Sequence, residues 1–208
     1  MIVVIIAMFQ MNIATENKKG CDFGMADKIV FAFGSKNINE LQGGMDLYID
    51  DLILDEVQFV IGDCDGADVV IQRYLADRGY KNVWIHASYN PATDERKKCR
   101  NNLGNWPVHY IATDYPSGTY EYRRAKDIAM INMCDEAFCI WDKVSKGTKK
   151  NIEELKAIGK EPNTMIHFGA FLSNIKSIDK SIVVDDIRTD DVNEVIREIE
   201  MEESGEDE

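Results

Sequence analysis

The chain has 208 residues, 24 Lys and Arg against 37 Asp and Glu, and a formal net charge of −13. Its length suits one substantial domain, alone or with an appendage, and 45% hydrophobic with 29% charged residues excludes a wholly disordered chain. Residues 177–208 hold −10 of the charge and residues 1–176 only −3. The acidity argues against non-specific duplex binding, which runs on Lys and Arg neutralising phosphates. The near-neutral body leaves a small anionic ligand open.

Cys21, Cys64, Cys99, Cys134 and Cys139 are odd in number and form no C-x-x-C pair, and His86, His109 and His167 have no ligand spacing. Neither a disulfide framework nor a metal site is expected; the pattern fits reduced thiols in a cytoplasmic protein. The first nine residues are apolar, too few to span a bilayer and without a basic flank. They read either as an extra packed element or as translation from a start upstream of the functional one, with Met25 before the first clear strand. Residues 1–26 are expected to be peripheral.

From Lys28 the pattern is regular. Residues 29–33 form an apolar run ending at Gly34, as in a strand buried on both faces. Residues 45–57 carry Ile49, Leu52, Ile53 and Val57 at helical spacing, and 59–61 make a second strand. Residues 67–77 read as a helix stopped by Gly79, and 82–87 as a third strand. Residues 88–107 are a long polar and basic stretch, and such loops are usually functional or mobile. A short strand at 108–112, a helix at 120–133 and a strand at 136–141 follow. A helix at 151–158 and a last strand at 164–168 complete the pattern. The alternation predicts a three-layer Rossmann-like α/β domain over residues 27–168, with a mostly parallel central sheet and helices on both faces. Residues 169–208 form an acidic extension with a weak strand at 181–184, a charged helix at 191–203 and a disordered end.

Ligands of open parallel sheets bind beyond the carboxyl ends of the strands. Three segments stand there: Gly34-Ser35-Lys36, Gly62-Asp63-Cys64-Asp65-Gly66-Ala67-Asp68, and Trp141-Asp142 running through Ser145-Lys146-Gly147-Thr148. Glycine permits close approach, amides opening a helix face an anion, and Ser, Thr and Lys add donors. Gly147-Thr148 is the expected phosphate cradle. Asp63, Asp68 and Asp142 suit ribose hydroxyls or base amino groups. Any one segment taken alone reads better as turn and cap residues; three at one sheet edge shift the reading to a nucleotide-type pocket.

These segments, with Arg100 and Gly104-Asn105-Trp106-Pro107, Lys126-Asp127-x-x-Met130 and Asn151-Ile152, resemble the SLOG superfamily. That superfamily unites Smf/DprA-like and LOG-like Rossmannoid domains, and the nearest branch is the YspA-like stand-alone group. The resemblance covers residues 28–168. It implies binding of a nucleotide or nucleotide-derived ligand, with Gly34, Ser35, Lys36, Gly62, Asp63, Cys64, Gly66, Ala67, Asp68, Arg100, Trp106, Lys126, Asp127, Asp142, Ser145, Lys146, Gly147, Thr148 and Asn151 at the pocket. No other cofactor is expected.

LOG-type members are phosphoribohydrolases with Arg-Lys-x-x-Met on a helix and a Pro-Gly-Gly-x-Gly-Thr-x-x-Glu turn. Registered on Met130, their Arg falls on Lys126, their Lys on Asp127 and their Glu on Asn151; neither Glu153 nor Glu154 takes that last position. A neutral Asn stabilises an oxocarbenium or activates water less well than a carboxylate. Lys lacks the planar fork of Arg. The favoured expectation is therefore a sensor or sequestering domain. An N-glycosidic hydrolase or deoxyribosyltransferase-like enzyme using Asp63, Asp68 or Asp127 is the alternative, and a DprA-like DNA-processing role the third.

Several residues carry two readings. Trp106 could stack on a base or anchor its loop, Cys64 is expected as a small filler, and the basic loop 96–100 could be a lid for an anion or a solvated charge run. Arg123, Lys126 and Asp127 share one helical face that could meet the pocket. A homodimer or higher oligomer is expected, with no nucleic-acid or membrane partner.

Overall fold

The structure, a computed structural model, describes residues 28–172. The expected peripheral segment at 1–26, the strand at 181–184, the helix at 191–203 and the disordered end lie outside them.

Six strands form one sheet: β1 (Ile29–Gly34), β2 (Gln58–Gly62), β3 (Val83–Tyr89), β4 (Val108–Ala112), β5 (Glu136–Trp141) and β6 (Asn163–Ile166). Their order is β4-β3-β2-β1-β5-β6, and every neighbouring pair is parallel. The sheet is thus wholly parallel. Helices α1 (Met45–Leu54), α2 (Ala67–Asp77), α3 (Tyr120–Met133) and α4 (Lys146–Ala157) connect the strands.

Side-chain alternation along each strand builds two cores. Val30, Ala32, Phe59, Ile61, Phe138 and Ile140 face one way and meet Ile49 and Leu52 of α1 and Ile71 and Leu75 of α2. Phe31, Phe33, Val60, Ala137 and Cys139 face the other way and meet Met130 and Ile131 of α3 and Ile152 and Leu155 of α4. The register pairs Phe31 with Ala137 and Ala32 with Phe138, so a large ring lies beside a small side chain on each face. Fully burying such a phenylalanine contributes roughly 2–3 kcal/mol.

Helix ends differ from the expected ones for local reasons. α1 stops at Leu54, short of Val57, because Glu56 takes a left-handed backbone (φ 53°). Val57 N–H then donates to Leu52 O and Glu56 N–H to Ile53 O, the paired bonds that close a helix C-terminus. Gly79 and Gly159 occupy the same position after α2 and α4. α4 starts at Lys146, five residues before the expected 151, because Asp142 Oδ1 accepts Val144 N–H (3.1 Å) and Ser145 N–H (2.7 Å) and turns the chain into the helix.

The chain runs from β1 outward to β4, then returns past β1 to β5 and β6, so the order reverses between β1 and β5. β3 and β4 are joined by the long loop 90–107 instead of a helix. Trp106, buried, anchors that loop: its Nε1–H donates to Tyr80 O at 2.9 Å, and Asn102 bonds both its N–H and its C=O. Among the described residues no helix is long and apolar enough to cross a membrane.

Candidate functional site

The three strand-end segments lie on the consecutive strands β2, β1 and β5, as a single pocket edge requires. Gly34 ends β1 because nothing larger fits: a Cβ there would stand 2.2 Å from Ile140 O and 2.7 Å from the Ala67 Cβ. The next residue, Ser35, is fully buried and its C=O accepts Ala67 N–H, fixing the start of α2. Its Oγ donates to Asp142 Oδ1 (2.8 Å), accepts from Asp142 N–H (3.1 Å) and lies 3.3 Å from Thr148 Oγ1. Thr148 Oγ1 donates to Ser145 Oγ at 3.1 Å. Ser35, Asp142, Ser145 and Thr148 thus bond chiefly to one another. Lys36, Lys146 and Gly147 are exposed, and a Cβ on Gly147 would meet nothing within 4 Å.

Beyond β2 the turn is charged and buried. Asp63 and Asp68 are each 6% exposed. A Cβ on Gly62 would stand 2.4 Å from Asp68 Oδ2 and 2.6 Å from Lys126 Nζ, so this glycine leaves room for both side chains beside the turn. Asp68 Oδ2 also accepts Cys64 N–H at 3.1 Å. Burial pushes the Asp68 carboxyl up to about 7 against the pull of Lys126. Burial works against the Lys126 ammonium, yet Asp127, Cys64, Asp68 and Asp63 outweigh it and hold its pKa above the usual lysine value. Cys64, whose thiol burial pushes up, sits with its Sγ 3.0 Å from Arg100 Nη2. Gly66 packs against the backbone of Lys36 with a left-handed φ of 82°.

On α3, Lys126 Nζ pairs with Asp127 Oδ1 at 2.9 Å. Arg124, which the sequence reading did not single out, is buried and reaches Asn151 Oδ1, Glu154 Oε2 and, at 3.4 Å, Asp127 Oδ2. Asn151 is therefore engaged within the protein, and Glu154, one turn further along α4, shares its arginine. A polar chain runs from α4 through Arg124 and Asp127 to Lys126, and the Asp68 carboxyl lies near that ammonium at the start of α2.

The open space lies to one side of the expected cradle. A cleft of about 560 Å³ opens beyond the carboxyl ends of β2, β3 and β4. Of the expected ligand residues, Asp63, Arg100 and Lys126 line it; Gly34, Ser35, Asp142, Gly147 and Thr148 do not. Ser88, Asp94, Tyr122 and Arg123 join them, with Arg96 and Lys98 from the basic loop. Arg100 N–H donates to Asp63 Oδ2 at 3.1 Å, and Asn101 Nδ2 bonds the Asp63 and Cys64 carbonyls, which ties the loop to the β2 turn. Asp94 Oδ2 accepts Asn90 N–H (2.8 Å) and lies 2.9 Å from the Tyr122 hydroxyl, so it clasps the loop to α3. The Asn90 amide in particular holds the Asp94 carboxyl below its ordinary value. Ser88 and Asp94 gave no sequence signal, since their positions come from a loop folding back on a helix. Trp106 takes its loop-anchoring role in the core, away from the cleft lining.

Strand pairing also sets His86 opposite His109, with Nε2 3.2 Å from Nδ1, although the two lie far apart in sequence. Burial, and then His109, push His86 down to about 4, so it stays neutral in the sheet. Among the described residues no group of three or more His, Cys, Asp or Glu could hold a metal ion.

Fold and site together define a Rossmann-like three-layer α/β domain with a charged cleft at the carboxyl edge of its sheet. No family model, curated protein or solved structure matches the chain.

Proposed function

We propose that the protein binds a nucleotide or nucleotide-derived ligand at the carboxyl edge of the sheet, as a sensor or sequestering protein of SLOG type. The observation that carries this reading is the cleft. Its volume of about 560 Å³ falls in the usual range for small-molecule sites of roughly 300–1,000 Å³. Its lining of five cationic and three acidic side chains suits an anion joined to a hydroxyl-bearing group. Binding is favoured over turnover because two of the three candidate catalytic carboxylates are committed elsewhere. Asp127 is paired with Lys126 and Arg124, and Asp68 is buried beside Lys126.

The second reading, an N-glycosidic hydrolase or transferase, draws on Asp63, the one candidate carboxylate that lines the cleft. One experiment separates the two. Purified protein is incubated with nucleoside mono-, di- and triphosphates, NAD and ADP-ribose, while melting temperature and free base are followed. A bound, unturned ligand at 100 times its Kd adds about 2.7 kcal/mol of stability and raises the melting temperature. Free base appearing, and disappearing in Asp63→Asn, would establish the second reading. No stabilisation and no turnover across the panel would reject both.

A further inference from the structure

The cationic side chains of the cleft are not equivalent. Lys126 and Arg100 already face carboxylates, Asp127 at 2.9 Å and Asp63 at 3.8 Å. Arg96, Lys98 and Arg123 line the same space, with Asp94 and Glu95 beside them, and have no carboxylate within salt-bridge distance among the described residues. Arg123 Nη1 donates to Gly118 O at 2.9 Å, which aims the guanidinium and leaves its charge without an acidic partner. Beside them Ser88, 6% exposed, has a buried Oγ with no hydrogen-bond partner. A buried hydroxyl left unpaired is costly, and a ligand oxygen arriving in the cleft would satisfy it.

The rival position is the start of α4. There the amides of Val144 and Ser145 are already taken by Asp142 Oδ1. Those two amides precede α4, whose own first turn has no side-chain cap, so an anion there would approach the helix amides with the Asp142 carboxylate next to it. The Ser35, Ser145 and Thr148 hydroxyls are likewise bonded to one another or to Asp142.

We infer that the phosphate group of the ligand sits in the cleft between Arg96, Lys98 and Arg123, with the Ser88 hydroxyl as a neutral donor, and not at the N-terminus of α4. This deepens the nucleotide reading and rests on it for the rest of the ligand; the phosphate position comes from the cleft alone. The cations paired with carboxylates fix the walls, and the three without an acidic partner supply the charge that a phosphoryl group neutralises. The loop carrying Arg96 and Lys98 is held at its start by Asp94 against α3, which presents Arg123 across the cleft.

Calorimetric titration with pyrophosphate and with AMP tests the placement. The wild-type protein binds pyrophosphate, more weakly as salt rises, while Arg123→Gln and Lys98→Gln each lose roughly tenfold in affinity, one charge-assisted contact apiece. Ser88→Ala lowers affinity without lowering the melting temperature of the free protein, because the deleted hydroxyl has no internal partner. Gly147→Asp, at the rival cradle and with open space for its side chain, leaves pyrophosphate affinity unchanged. The inference is overturned if pyrophosphate does not bind, or if Gly147→Asp abolishes binding while the cleft variants retain it. AMP binding through a Gly147-sensitive site would keep the nucleotide reading and discard this placement. Pyrophosphate binding lost in the cleft variants, with no binding by any nucleotide, would do the reverse.

Discussion

Asp68 shows how burial changes what a residue in a motif can do. As part of a glycine- and aspartate-rich turn it reads as an acceptor for a ribose. In the fold it lies under the β2 turn beside Lys126 with a carboxyl pushed up to about 7. The unfolded carboxyl titrates near 3.9, so the native state binds the proton more tightly across the interval. Stability contributed by this group therefore falls as pH rises from about 4 to about 7 and is level above that. Urea unfolding at about pH 5 and pH 8 checks this: Asp68→Asn loses less stability between the two than the wild type does. Equal losses in both proteins would show that Asp68 is not the group responsible. Arg124 makes the complementary point. Only one position separates it from Arg123, yet Arg123 faces the cleft while Arg124 is buried against α4. Helical spacing grouped Arg123 with Lys126 and Asp127 but held no sign of where α4 would lie.

Among the elements, the strands and helices were legible because each carries a strong periodic or continuous apolar signal. α2, β4, α3 and β5 have the bounds read from the sequence, and β1, β2, β3 and β6 lie within two residues of theirs. The misplaced ends have specific causes that periodicity does not encode. The Asp142 side chain turns the chain into α4 ahead of the expected start, and α1 loses its last residues to a left-handed Glu56. That Glu56 conformation is costly for a residue with a Cβ, by roughly 1–2 kcal/mol. Glu56→Gly should therefore raise stability by about 0.5–1 kcal/mol, the added freedom of glycine in the unfolded chain offsetting part of the relief. Chemical denaturation measures it directly, and a decrease would show that the glutamate side chain contributes more than the strain removes.

Across the whole molecule the charge is partitioned. The acidic excess sits in residues 177–208, while the cleft is lined by more cations than acids. The loop 90–107 completes this arrangement, its second half bonded to the β2 turn and its residues 95–98 exposed. Limited trypsin digestion should cut early after Arg96, Lys97 or Lys98, since exposed loop segments open most readily. Saturating pyrophosphate should slow those cuts specifically. Equal rates with and without it would mean that no anion binds against the loop.

The sequence by itself determined the α/β class and the two buried faces of the sheet, and named most of the side chains at its carboxyl edge. Local periodicity and strand-end glycines carry that information, since both follow from a few neighbouring residues. Only the tertiary structure decided which of those side chains are spent on one another and which face open space. Ser35, Asp142 and Thr148 fill their own crevice, whereas Ser88, Arg96, Lys98 and Arg123 surround an unfilled cleft. The reason is physical: a hydroxyl, carboxylate or guanidinium is available to a ligand only where no neighbour in the fold already satisfies it, and those neighbours come from distant parts of the chain.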